Sequence, residues 1–164
     1  VYARNCAEEK KMTAQDELPL ALRAAYLALH RRSDSQFSQQ SITADQFVLL
    51  MTLARGDVLT QRELARRMPS DPSTVRAMLV LLERQGLVRR DAHPTDSRAR
   101  TVALTAAGKR KFRQLWTESE SIRTQMLEAL KPDEVETLVR CLKRVTESLN
   151  NERVPFYESI SNHD

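Results

Sequence analysis

The sequence predicts a mainly α-helical protein with one small β-hairpin, and three observations carry that expectation. Apolar residues recur at helical spacing along most of the 164-residue chain, and the 41% hydrophobic content is enough for a packed core. Glycine (3) and proline (6) are sparse, which favours helices joined by short connections. Only the stretches Leu87–Arg90 and Thr101–Leu104 change to a period of two.

Taken in order, residues 1–17 are polar and charged and read as a flexible tail. Leu18, Leu22, Ala25, Tyr26 and Leu29 then mark a first helix running to about Asp34, within an N-terminal helical segment 18–38. Ser35–Ser41 is a polar connection. Thr43 is placed to cap a second helix whose apolar face is Phe47, Leu50, Met51 and Ala54, ending at Gly56. A short extended piece, Val58-Leu59, leads to Thr60-Gln61-Arg62-Glu63, a capping-box pattern. That box opens a third helix of about two turns with Leu64, Ala65 and Met68 inward. Pro69 breaks it, Ser70 and Asp71 are cap candidates, and Pro72 suits the first turn of a fourth helix, where a missing N–H costs nothing. This helix buries Val75, Met78, Leu79 and Leu82 and stops at Gly86.

The two short strands follow, separated by the polar loop Asp91–Arg100. Thr105 then caps a long fifth helix carrying Phe112, Leu115, Trp116, Ile122, Met126, Leu127 and Leu130, which ends at Lys131-Pro132. Asp133 and Glu134 open a sixth with Val135, Leu138, Val139, Leu142, Val145 and Leu149. The division is a lobe over residues 39–111 and C-terminal helices over 112–164.

Two short helices joined tightly and followed by a basic hairpin describe a winged helix-turn-helix. The major groove admits one helix, the preceding helix braces it, and the hairpin reaches the adjacent minor groove. Charge points the same way. The net charge of +4 is concentrated between Thr60 and Arg110, where eleven basic and five acidic residues give +6 and leave −2 for the rest.

Leu64-Ala65, Ser73-Thr74-Val75, Leu82-Glu83, Gly86-Leu87-Val88, Asp96-Ser97-Arg98 and Val102-Ala103-Leu104-Thr105-Ala106-Ala107-Gly108 resemble the multiple-antibiotic-resistance regulator (MarR) family. The likeness covers roughly Ile42–Leu115 by motif and the chain by helix order. It implies a homodimer on a pseudo-palindromic operator, with the first, fifth and sixth helices as dimerisation helices and a ligand crevice beside them. The terminal helices are also more apolar than a small winged helix requires. Carried over by position, Ser73, Thr74 and Arg76 enter the groove, and Ser70 and Asp71 lie just before it. Asp96 and Arg98 match the family's wing Asp-x-Arg, in which the carboxylate would orient the guanidinium. Arg100 and His93 are expected beside phosphates. Three departures bear on the operator: Ala77 stands where many relatives carry Arg, Val80-Leu81 replaces a polar pair, and Ser97 replaces a second wing Arg.

The resemblance also implies control by a small effector. Arg23, Tyr26 and His30 recur along the first helix, Tyr26 and His30 on one face. With Trp116 they form a candidate pocket for an aromatic carboxylate or its thioester, although each aromatic also suits a core or an interface. The protein is read as a repressor that this effector releases from DNA. Thiol sensing is the weaker alternative, because the first helix holds no cysteine. Cys6 lies upstream, and Cys141 falls in an apolar-periodic stretch that predicts a small buried side chain. No phosphate loop, metal-ligand cluster or nucleophile motif is present, so neither an enzyme, a cofactor nor a metal is expected. A winged-helix adaptor without DNA binding is the other competitor. No apolar run approaches the ~20 residues of a membrane span, and the N-terminal stretch has no signal-peptide pattern, which reads as a cytoplasmic protein without a membrane partner.

Overall fold

The computed structural model describes residues 13–149 apart from 56, 57, 69, 94 and 97. The elements run α1 (Ala14–Phe37), a short 3-10 turn (Ser38–Gln40), α2 (Ala44–Ala54), β1 (Leu59–Thr60), α3 (Gln61–Arg67) and α4 (Pro72–Arg84). They continue with β2 (Val88–Ala92), β3 (Arg100–Leu104), α5 (Ala106–Glu118), α6 (Glu120–Glu128) and α7 (Pro132–Leu149). The expected class, mainly helical with a small antiparallel hairpin, is the observed one.

Caps decide most helix starts. Thr43 accepts from the Gln46 N–H at 3.2 Å while the Gln46 side chain accepts from the Thr43 N–H at 3.0 Å, closing a capping box before α2. Thr60 and Glu63 repeat this before α3. Thr105 accepts from Gly108 N–H at 3.0 Å before α5. After α4, Gly86 takes φ +70°, the left-handed turn that releases the chain into β2.

Several boundaries differ from the sequence reading. The first helix begins at Ala14 rather than Leu18, because Thr13 and Asp16 form a capping box one turn earlier, and it continues through Ser35 to Phe37. The long fifth helix is divided at Ser119, which is buried. Its hydroxyl donates to the Trp116 carbonyl at 2.9 Å and Arg123 donates to the same oxygen at 2.8 Å, side-chain bonds that favour a break in the helix there. The hairpin strands are longer than expected at the loop end. The stop at Gly56 and the residues beyond Leu149, like Cys6, lie outside the described residues.

The extended piece before α3 is a strand. Leu59 pairs with Val102 and Thr60 with Thr101, giving an antiparallel sheet of order β1-β3-β2. The N-cap of α3 is thereby paired with β3 near the loop end of the hairpin.

The core gathers Leu49, Leu50, Leu64, Val75, Leu79, Leu82 and Val102, each fully buried, with Phe37 and Leu115 reaching in from the flanking helices. In α2 the deepest residues are Leu49, Leu50 and Leu53, a wider face than expected, because this helix packs against α1, α5 and β3 at once. Gly108 permits the tightest approach: a Cβ there would stand 1.9 Å from the Leu87 carbonyl oxygen. Cys141 is exposed, not buried, because α7 buries none of its residues within the chain. No described helix is long and apolar enough to cross a membrane.

Candidate nucleic-acid interface

Asp71 sets the start of α4. Its carboxylate accepts the N–H groups of Ser73 at 2.9 Å and Thr74 at 3.0 Å, and both hydroxyls donate to it at 2.5 Å. These bonds, the hydroxyl ones foremost, hold the Asp71 carboxyl far below the usual carboxylate range. Asp71, Ser73 and Thr74 are thus a cap in this structure, and the two hydroxyls keep lone pairs to accept with. Ser70 lies beside them, half-buried. Arg76 is exposed one turn into the helix.

The hairpin is tied to α4 at its base. Arg90 donates through two guanidinium nitrogens to one Glu83 oxygen, and the Nε bond is 2.9 Å. This contact lowers the Glu83 carboxyl pKa and raises that of the Arg90 guanidinium. At the tip, Asp96 accepts from the backbone N–H of Arg98 at 2.9 Å, and the Ala99 N–H donates to the Asp96 carbonyl at 3.0 Å. Asp96 was expected to hold the Arg98 guanidinium. It holds the backbone instead, because an Asx turn satisfies the carboxylate within two residues. Among the described residues Arg98 has no carboxylate partner.

A groove of about 720 Å3 opens between α3, the start of α4 and the hairpin. Arg62, Arg66, Arg76, Arg98 and Arg100 line it, with Thr60, Gln61 and Pro72, and Asp96 is its one lining carboxylate among the described residues. Three of the expected positions, Arg76, Arg98 and Arg100, therefore converge, and Asp96 stands with them. His93 does not line this groove; its Nδ1 accepts from the Thr95 N–H at 3.3 Å. Arg62 and Arg66 were not singled out from sequence. Their i, i+4 spacing after a capping box was the available signal, since it places both on one face of the brace helix.

Of the expected effector residues, Tyr26 and His30 meet, ring centroids 5.5 Å apart. His30 also faces Asp34 at 3.1 Å and Asp45 at 3.6 Å. Partial burial and these two carboxylates raise the Tyr26 phenol pKa. Trp116 packs on Phe112 and carries Arg123 over its ring at 4.0 Å; no ring contact among the described residues joins it to Tyr26 or His30. Arg23 is exposed on α1. No group of acidic, His or Cys side chains among the described residues could hold a metal ion.

A braced helix, a second helix capped for groove entry and a sheet-rooted hairpin bearing arginines define a winged helix-turn-helix DNA-binding protein. Residues 42–99 match the model of the MarR family. The regulator YdgJ of Bacillus subtilis is 29% identical over 67% of this chain and 67% of the relative. The B. subtilis repressor MdtR is 27% identical over 73% and 77%. Among solved structures, a mutant MarR from Escherichia coli complexed with operator DNA superposes with a TM-score of 0.71 at 28% identity, covering 82% of this chain and 99% of that one. Sco3205 from Streptomyces coelicolor, in complex with DNA, gives 0.75 at 25% identity over 87% and 92%. This likeness supports DNA-binding transcriptional regulation.

Proposed function

We propose that the protein acts as a homodimeric repressor on a pseudo-palindromic operator, contacting each half-site through the arginine-lined groove and the exposed face of α4. The observation that carries this is the convergence of five arginines from three separate elements on one groove. Phosphate neutralisation explains why such residues would gather where they repel one another. In the reading we favour, α4 enters the major groove with Ser73, Thr74 and Arg76, with Ser70 and Asp71 setting its entry. Arg98 reaches the minor groove, and Arg100 and His93 stand toward the backbone. Two-fold symmetry would set the two α4 helices about one DNA turn (~34 Å) apart.

Release by a small aromatic effector is part of the same proposal. The acidic surroundings of His30 oppose a carboxylate there, whereas Arg123 over Trp116 supplies a cation beside an aromatic face. Any aromatic acid or thioester would therefore put its anionic group toward Arg123 and Trp116, with Arg23, Tyr26 and His30 as the second candidate wall.

Electrophoretic shift with the intergenic DNA beside its gene tests the reading. Sub-micromolar binding that falls steeply with salt is expected. Arg98→Ala should weaken it by about 1–3 kcal/mol while the protein stays dimeric. Normal binding by Arg98→Ala would remove the wing from the interface, and salt-independent binding or none would favour an adaptor.

A further inference from the structure

The outward face of α4 is not the polar surface that base-edge hydrogen bonding requires. Val75, Met78, Leu79 and Leu82 turn inward. Ser73, Ala77, Val80 and Arg84 therefore share the opposite stripe at i, i+4, i+7 and i+11. The centre of that stripe is apolar. Ala77 is exposed, Val80 is half-buried, and Leu81 beside them is 47% exposed. Pro72, Ser73, Arg76, Ala77, Val80 and Leu81 line a shallow depression of about 630 Å3. Pro72 and Arg76 line both this depression and the arginine groove. The apolar stripe thus continues a strongly cationic surface, with Arg84 at its far end, and is framed for an anionic partner.

We propose that Ala77 and Val80 read the 5-methyl groups of thymines in each operator half-site, an inference that rests on the DNA-binding reading above. The thymine methyl is the apolar group that a base pair presents in the major groove, and small aliphatic side chains are its matching contacts. Ala77 and Val80 rise ~4.5 Å apart along the helix at 1.5 Å per residue, against ~3.4 Å per base step, so the stripe spans one or two base pairs. Leu81 widens the contact at its edge.

The test uses the full chain and an operator selected from random duplexes. Each thymine is replaced singly by deoxyuridine, which removes the methyl and leaves pairing unchanged, and affinity is read by fluorescence anisotropy. One or two positions per half-site should each lose about threefold to fivefold, the worth of one buried methyl. Val80→Ala, at a site outside the core, should melt like the parent and bind thymine and deoxyuridine operators equally at one of those positions. Neutral deoxyuridine at every position overturns the inference, as does an unchanged penalty in Val80→Ala at every position. A stripe that serves a second copy of the chain would show as altered sedimentation of DNA-free Val80→Ser with the penalty intact, and would also overturn it. If the parent binds duplex specifically but ignores the methyls, only this inference fails. If it binds no duplex, the DNA-binding reading fails with it.

Discussion

The lobe built from α2 to β3 and the helices that flank it solve the same burial problem differently. In the lobe, the inward face of each helix is covered by the same chain: α2, α3 and α4 all contribute fully buried leucines to one cluster. The flanking helices do not. Within the chain, α1 buries only Phe37 over 24 residues, and α7 buries none over 18. Leu18, Leu20, Tyr26, Met126, Leu127, Leu138, Val139 and Leu149 remain exposed on α1, α6 and α7. An amphipathic helix without a partner in its own chain is half of an interface. In the homodimer proposed above, a second copy of the chain supplies the other half. The lobe is thus a finished folding unit, while the flanks are finished only by assembly.

The contrast can be broken at either end. Leu138→Glu on α7 should convert the dimer to monomer in light scattering and reduce operator affinity by a hundredfold or more, since the two half-sites lose their coupling. The lobe's hydrogen-exchange protection should persist, and its loss would show that the lobe depends on the flank.

Gly108→Ala strikes where α5 docks on the lobe. The added Cβ meets backbone at Leu87, which a side-chain rotation cannot relieve, so a loss of about 2–3 kcal/mol in urea unfolding is expected. A parent-like midpoint would mean that α5 docks on Leu87 less tightly than the structure has it.

The smallest effect sharpens how caps hold the lobe. Thr60→Ala should cost about 1 kcal/mol. It should also flatten the acid limb of the stability curve. The Thr60 side chain and N–H hold the Glu63 carboxyl below its ordinary value of 4.5, and the Ser73 and Thr74 groups hold Asp71 below 3.8. Depressed carboxyls add stability that is fully present above the ordinary values and is lost as pH falls through the folded ones. The parent lobe should therefore weaken progressively below about pH 4.5, and Thr60→Ala less steeply. Equal slopes would assign the acid loss elsewhere.

Much of the lobe was legible because its signals are local. Thr43, Thr60 and Thr105 cap as their spacing predicts, Pro72 opens α4, Gly86 ends it, and the inward set Val75, Met78, Leu79 and Leu82 follows from period alone. The misreadings arose where a competing local bond or a distant neighbour decided. Thr13 and Asp16 lengthened α1, and Ser119 divided the long helix through a carbonyl it shares with Arg123. Cys141 sits on a periodic stripe, but periodicity reports which face is apolar and not which chain covers it.

The sequence by itself therefore determined the helices, the hairpin and the family resemblance, because caps, turns and hydrophobic periods act over a few residues. Tertiary structure alone decided that Leu59-Thr60 joins the sheet beside Val102 and Thr101. That pairing spans about forty residues and depends on main-chain hydrogen bonds, which almost any side chains would permit. It is also what sets Arg62 and Arg66 of α3 across from Arg98 and Arg100 of the wing, turning scattered basic residues into one groove.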